Sequence, residues 1–313
     1  MDIAVGYAAP PFRPKAWSDA KGVPCGYDPR LTALIYQAMR YDLHCHSTRS
    51  DGLLSPAAVV RRAAARGVEV LALTDHDETA GLDEARAAAE EAGVAFVTGA
   101  ELSVSWEDIT IHVVALRFDP AHVALLGGLE QIRSGRDSRA RRIAASLAAA
   151  GIPDAYEGAR RYVTSERLIS RTHFARFLVE AGHVPEMKAV FSRYLTPGRP
   201  GYVAHAWASL KDAIGWIHAA GGQAVLAHPG RYKVTGTGLR RLLGEFRDHG
   251  GDAVEVLSPS HQAAQVAQFA ALARTYGLAA STGSDYHGPG ESWLDLGDLP
   301  PLPYGVDPVW KEW

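Results

Sequence analysis

From Tyr41 onward, short apolar runs alternate with longer stretches in which apolar side chains recur every three or four positions. The short runs suit buried strands and the longer stretches amphipathic helices. Ser55-Pro56 caps and opens a helix expected to run to Arg66 and stop at Gly67. Val68 to Thr74 reads as a buried strand ending in Asp75-His76-Asp77. A helix over Leu82 to Ala92, closed by Gly93, leads to a strand over Val94 to Thr98 and then Gly99-Ala-Glu101. Ile109 to Leu116 is a further strand with His112 inside it.

The alternation stops between about Pro120 and Gly201, where helical patterns follow one another over Ala121 to Ala150, Ser170 to Ala181 and Pro185 to Leu195. It resumes with helix Ser209 to Ala220, strand Gln223 to Ala227 and His228-Pro-Gly. Helix Leu239 to His249 then precedes strand Ala253 to Leu257, and helix His261 to Tyr276 precedes strand Leu278 to Thr282, which enters Gly283-Ser-Asp285-Tyr-His287. Strands alternating with helices of this length imply an α/β fold, with a parallel sheet or a barrel. The expected division is an N-terminal extension over 1–40, a first barrel part over 41–119, an inserted helical cap over 120–201, a second barrel part over 202–300 and a C-terminal tail over 301–313. Pro10, Pro11, Pro14 and Pro24 break any period before Arg30, so only Arg30 to Met39 is expected to be helical there. Met39 is a plausible natural start, and the residues before it are expected to take no part in the chemistry.

Composition changes this picture little. Of the 313 residues, 47% are hydrophobic and 21% charged, enough for a sizeable core. No apolar run approaches the roughly 18 residues a membrane span needs, and the first residues lack the features of a signal peptide. Two cysteines, Cys25 and Cys45, cannot make a disulfide framework, which fits a cytoplasmic protein. A net charge of −3 excludes a strongly basic, nucleic-acid-coating surface, but the charge is unevenly spread. Residues 120–201 carry thirteen basic against seven acidic side chains, a net of +6, leaving −9 for the rest.

The chemistry gathers where strands end. On an extended strand, His44 and His46 share a face and Cys45 points away. Asp51 follows after a turn, and His76, Glu101, His112, His228, Asp285 and His287 stand at or near the ends of later strands. In an α/β barrel those ends share one rim. Six histidines and three carboxylates left empty there would repel one another and resist desolvation, and about three divalent cations would remove the conflict, Glu101 bridging two of them. Individually each has a plainer reading: His112 as a satisfied core histidine, His228 as part of a turn. Jointly, ligand-type residues at five strand ends favour metal.

His44-x-His46 with Asp51, Thr74-Asp-His76-Asp, Gly99-x-Glu101, His112, Ala227-His228-Pro and Ser284-Asp285-x-His287 resemble, in order, the motifs of the PHP (polymerase and histidinol phosphatase) family. The resemblance covers Tyr41 to about Gly288 and implies a distorted (β/α)7 TIM-like barrel with a trinuclear site. It implies that His44, His46, Glu101 and Asp285 hold one metal. Glu101, His112 and His228 would hold a second, and Asp51, His76 and His287 a third. Mn²⁺ is the expected ion, with Fe, Zn or Mg²⁺ as alternatives.

Such ions suit phosphoester hydrolysis by a metal-bridging hydroxide, with no covalent nucleophile. Glu101 is the expected catalytic bridge. Asp77, beside His76, either carries a proton to the leaving group or orients an imidazole. Arg136 falls on the apolar stripe of Leu129, Ile132, Ala140, Ile143 and Leu147, where it needs a partner, either a substrate phosphate or an internal carboxylate. Arg171 opens a helix, and His205 and His261 lie on loops near the rim, so these too are candidates for phosphate contact. A helical insertion here, with Arg171-x-His173, is similar to a PHP subgroup that hydrolyses 3′,5′-nucleoside bisphosphates such as pAp and trims short 5′-phosphorylated RNA. The expected partner is therefore a nucleotide or short RNA, with no membrane and no obligate protein partner. The alternatives are a histidinol-phosphate-type monophosphatase, a metal-dependent amidohydrolase and a non-catalytic nucleic-acid-binding module.

Overall fold

The computed structural model describes residues 39–164 and 168–313, so the expectations for residues 1–38 lie outside it. Its frame is a sheet of β1 (Tyr41–Asp42), β2 (Val70–Leu73), β3 (Ala95–Trp106), β4 (Ile109–Leu116), β6 (Gln223–Leu226), β7 (Ala253–Leu257) and β8 (Ala279–Thr282), paired in that order. A short β5 (Ala208–Ser209) adds to β3. The ends meet: Leu43 N–H donates to the Thr282 carbonyl (3.1 Å), and Asp285 N–H to that of His44 (2.7 Å). The sheet thus curls into a nearly closed, seven-stranded barrel, in agreement with the α/β barrel expected.

A Cβ on Gly283 would stand 2.1 Å from the His44 side chain, so only glycine permits β8 to approach β1 this closely. Gly99 plays the same part between β3 and β2, where a Cβ would meet the Leu73 carbonyl oxygen at 2.5 Å.

One strand runs against the alternation. β4 is antiparallel to both β3 and β6. Only Glu107 and Asp108 separate β3 from β4, too few for a helical crossover, and Glu107 supplies the positive φ (50°) that a tight hairpin uses. β3 also runs eight residues past the expected end at Thr98, because the hairpin continues its pairing to Trp106↔Ile109.

Helices α1 (Pro56–Ala65), α2 (Leu82–Ala92), α8 (Leu210–Ala219), α9 (Gly236–Asp248) and α10 (Ala263–Tyr276) belong to the outer layer. Ser55, Ser209 and Thr235 cap three of them through side-chain oxygens. Alternate strand residues divide between two cores. Leu71, Leu73, Val113 and Leu226 pack in the cluster that includes these helices, while Val70, Ala72, Val114 and Val225 form another with Val309 and Trp310. Trp310 stacks on Tyr41 with ring centroids 4.0 Å apart, so the C-terminal segment completes this second cluster.

Between β4 and β5 the chain forms α3 (Val123–Ser134), α4 (Arg136–Ala149), α5 (Ala155–Arg160), α6 (Arg171–Glu180) and α7 (Met187–Val190), the last continuing into a π-helical turn over Phe191–Leu195. The single helix expected over Ala121 to Ala150 is two, broken at Gly135. The break serves two cores: Leu125, Leu129 and Ile132 pack with the barrel, whereas Ala140, Ile143 and Leu147 pack in a separate cap cluster with Phe174 and Leu178. The His205 ring crosses at Gly135 so closely that a Cβ there would lie 2.4 Å from it. Among the described residues, no helix is long and apolar enough to cross a membrane.

Candidate active site

One rim of the barrel gathers all nine ligand candidates. His44, His46 and Asp51 follow β1, His76 follows β2, His228 follows β6, and Asp285 and His287 follow β8. Glu101 and His112 lie within β3 and β4. The long hairpin carries them to the level of the other strand ends, as the His76↔Glu101 bridge shows.

Glu101 is the hub. One oxygen stands 2.8 Å from His112 Nδ1, 2.9 Å from His228 Nε2 and 3.4 Å from His44 Nε2; the other is 2.8 Å from His76 Nδ1 and 3.4 Å from His46 Nε2. Asp285 Oδ1 is 3.2 Å from His46 Nε2 and 3.6 Å from both His44 Nε2 and His287 Nδ1. Asp51 Oδ1 is 3.4 Å from His287 Nε2 and 3.8 Å from His76 Nε2. Donor atoms within 4.8 Å of one another form four overlapping groups: His46–Asp51–His76–His287, His44–Glu101–His228, His44–His46–Asp285 and His76–Glu101–His112.

The electrostatics match a cation site. Burial raises the pKa of Glu101, but the imidazoles of His112, His76 and His44 outweigh it and hold the carboxyl well below its ordinary range. Asp285 is likewise held low against burial by Arg231 and His44, and Asp51 by His76 and His287. Burial drives His46 down to about 3 and His228 down to about 4, leaving neutral imidazoles suited to metal. Several buried nitrogen and oxygen atoms, among them both ring nitrogens of His46, His44 Nε2, Asp51 Oδ1 and Glu101 Oε2, have no hydrogen-bond partner among the described residues. Buried polar atoms are seldom left so, and nitrogen and carboxylate donors this close fit divalent cations.

Other carboxylates hold the ligand candidates. Glu255 Oε1 is 2.6 Å from His44 Nδ1, and its Oε2 accepts the backbone N–H of His228 (2.6 Å). Asp75 accepts from Ser47 N–H and from the Ser47 and Ser50 hydroxyls, bracing the turn before Asp51. His228 (φ 27°) and Asp285 (φ 48°) occupy left-handed backbone that costs side-chain-bearing residues energy, a common feature of functional sites. The cap reaches the same ligands: Ser170 Oγ donates to Asp51 Oδ2 (3.0 Å), and Arg176 donates to the Asp51 carbonyl (2.6 Å) while pairing with both oxygens of Glu291.

An open cleft lies over this cluster, about 700 Å³ when the open solvent at its mouth is counted. Asp51, His76, Glu101, His112, His228, Asp285 and His287 line it from the barrel, and Arg136, Arg139, Arg171 and Phe191 from the helical segment between β4 and β5; Trp207 and Arg231 also line it.

The remaining candidates are placed differently from one another. Asp77 is fully buried away from the cavity wall: Ser103 donates to it from N–H (2.6 Å) and Oγ (3.0 Å), and Arg136 Nε donates to its Oδ2 (3.0 Å). It therefore holds Arg136 and does not line the cavity. Arg136 has the internal carboxylate rather than a free guanidinium, although it still borders the cavity and lies over the Trp207 ring. Arg171 lines the cavity and donates to the Leu195 carbonyl (3.3 Å). His205 packs against Trp207 outside the cavity lining, and burial with the nearby Arg139 lowers its pKa, which disfavours the protonated form a phosphate would need. His261 has both nitrogens committed, Nδ1 to the Val256 carbonyl (3.0 Å) and Nε2 to Gly230 N–H (3.1 Å).

Glu255, Arg139 and Arg231 escaped the sequence reading. Glu255 had a signal, a lone charge inside the apolar strand Ala-Val-Glu-Val-Leu. Arg139 sits one turn after Arg136, and burial with the neighbouring arginines pulls it down to about 9. Arg231, in the turn after His228-Pro-Gly, pairs with Asp285.

The PHP domain profile matches residues 42–223, more than half of the chain. The chain belongs to the PHP family. It is 53% identical over 271 residues to a 3′,5′-nucleoside bisphosphate phosphatase of Chromobacterium violaceum, covering 87% of this chain and 95% of that one. It is 45% identical over 278 residues to the 5′-3′ exoribonuclease Rnm of Escherichia coli, covering 88% and 94%. A solved structure from C. violaceum, named an amidohydrolase and holding sulfate and no metal, superposes with a TM-score of 0.85 at 53% identity, covering 87% of this chain and 95% of that one. Another, assigned as a metal-dependent phosphoesterase from Bifidobacterium adolescentis, gives 0.75 at 28% identity, covering 88% and 94%. With its donor clusters, this PHP protein is an enzyme, a metal-dependent phosphoesterase.

Proposed function

We propose that this PHP enzyme hydrolyses 3′,5′-nucleoside bisphosphates such as pAp and trims short 5′-phosphorylated RNA. One observation carries the reading. The cavity has the donor cluster on one wall and two arginines on the other, Arg139 and Arg171, that pair with no carboxylate among the described residues. Such a cavity suits a substrate with two phosphates, and the names of the C. violaceum and E. coli relatives agree with it. In this reading three divalent ions, Mn²⁺ first among them, are held by His44, His46, Glu101 and Asp285; by Glu101, His112 and His228; and by Asp51, His76 and His287. All nine residues fall within the four donor groups, which overlap through His44, His46, His76 and Glu101. Bound there, such ions activate water and offset charge on the phosphoryl oxygens.

The chain does the rest. Arg139 and Arg171 grip the phosphate that is not attacked, so binding energy from a non-reacting group orients the reacting one. Ser170 and Arg176 fix Asp51 to the cap, which keeps the two walls in register. Arg231 lies beside Asp285, where it can turn to a phosphoryl oxygen. Glu255 engages His44 Nδ1, which would leave Nε2 as the nitrogen available to a metal. The substrate class and the reducing-compartment composition both suit the cytoplasm.

The test is direct. Mn-loaded protein is incubated with pAp, a 5′-phosphorylated RNA oligomer and histidinol phosphate, and phosphate and mononucleotide release are followed. The two-phosphate reading expects kcat/KM for pAp to exceed that for histidinol phosphate by at least about tenfold. Equal values, or a preference for histidinol phosphate, would assign the monophosphatase alternative instead.

A further inference from the structure

Trp293 is 82% exposed, an unusual position for the largest apolar side chain. It lies six residues beyond the ligand candidate His287 and directly after Ser292, whose Oγ accepts the His287 backbone N–H (2.7 Å). The segment is therefore anchored to the rim. From the cap side, Lys188 Nζ lies 5.6 Å from the centre of the Trp293 ring. Lys188 and Phe191 are three residues apart on α7 and its π-helical continuation, which places them on neighbouring positions of one helical face. Phe191 lines the cavity. A path thus leads out of the cavity over an aromatic ring, a cation and a second, exposed aromatic ring.

The local charge agrees. Glu291 is bound by both ends of the Arg176 guanidinium (2.8 and 2.7 Å), and Asp295 by Arg62 (2.8 and 2.5 Å). The carboxylates flanking Trp293 are neutralised, and Lys188 is the cation that lies over its ring. The cap that supplies Lys188 and Phe191 has a net charge of +6. Aromatic faces interleaved with cations are what a sequence-tolerant site for single-stranded nucleic acid requires, because every base has a face that stacks and every link a phosphate.

We propose that Phe191, Lys188 and Trp293 form a stacking platform for the nucleotides of a single-stranded oligonucleotide that lie beyond the attacked phosphodiester. A base leaving the cavity stacks on Trp293, and Lys188 meets the phosphate beside it. The proposal rests on the nucleotide reading of the cavity and goes beyond it: Trp293 is not among the residues lining the cavity, so it is expected to matter for an oligomer that extends past the cavity and not for a bisphosphate held within it.

The experiment compares pAp with a 5′-phosphorylated hexa-adenylate on the metal-loaded full chain, in the wild type and in Trp293→Ala, Trp293→Phe and Lys188→Ala. Because Trp293 is exposed, Trp293→Ala is expected to fold. The platform predicts that this variant loses about 5- to 100-fold in kcat/KM on the hexamer, mainly through KM, and changes less than about twofold on pAp. Trp293→Phe should restore most of the loss, and Lys188→Ala should flatten the salt dependence of the hexamer KM. An unchanged hexamer KM in Trp293→Ala, or a parallel loss on pAp, overturns the platform while leaving the bisphosphate reading in place. A wild type that turns over neither substrate overturns that reading and the platform with it.

Discussion

Glu255 and His44 form a buried pair: the carboxylate oxygen stands 2.6 Å from the ring Nδ1, and the second oxygen of Glu255 holds the backbone N–H of His228. One carboxylate thus orients two ligand-bearing segments, from the β1 and β6 ends. Glu255→Gln keeps the shape but weakens the hold on His44. It should cost about 10- to 100-fold in metal affinity, read by chelator competition on purified protein. An affinity equal to wild type would show that the pair is structural only.

Asp77 and Arg136 are both buried, and Asp77→Ala leaves the guanidinium without its carboxylate. The loss should be about 3–5 kcal/mol of stability, measured by urea unfolding. A second substitution, Asp77→Asn, separates a positioning role for Asp77 from proton transfer. As a positioning residue it leaves the basic limb of the pH–rate profile in place in Asp77→Asn, whereas a proton donor would take that limb away.

Arg139 and Arg171 face the cavity without a carboxylate partner among the described residues. Replacing either by alanine should raise KM for pAp by about 10- to 100-fold, the worth of a charged hydrogen bond. A simple aryl phosphate, with no second phosphate to grip, should be hydrolysed at nearly the wild-type rate. Equal losses on both substrates would remove these arginines from the recognition of a second phosphate.

His173 gives the cap a dependence on pH. It is fully buried at the start of α6, where Nδ1 accepts the Ser170 N–H (3.0 Å), and burial drives its pKa down to about 4. A depressed histidine contributes its stability above its unfolded value near 6.5 and loses it as pH falls through 4. Between those limits the cost approaches about 3 kcal/mol. His173→Gln keeps an acceptor and cannot titrate, so its stability should fall less than that of wild type when urea melts at pH 6.5 and pH 4 are compared. Parallel curves would assign the acid sensitivity elsewhere.

Much of the site was legible before any coordinates. The strand period of two puts His44 and His46 on one face whatever the surrounding fold, and apolar runs followed by His, Asp or Glu mark strand ends that a barrel must bring to one rim. His76, His228, Asp285 and His287 could therefore be named from position alone. Short-range physics also set the cap at Ser55 and the stop at Gly93, because these depend on a residue's own backbone preferences and its near neighbours.

What the tertiary structure decided lies at long separation. Arg136 meets Asp77 across 59 residues, and no local pattern distinguishes that carboxylate from a substrate phosphate as its partner. The helix expected over Ala121 to Ala150 keeps its period through Gly135, so only the two separate cores on either side reveal the break. Whether β4 runs parallel or antiparallel depends on how far β3 extends, which its pairing fixes rather than its composition. The clustered ligand candidates could be read from the chain because alternation is local. Their partners could not, because a buried charge takes whichever opposite charge the fold brings to it.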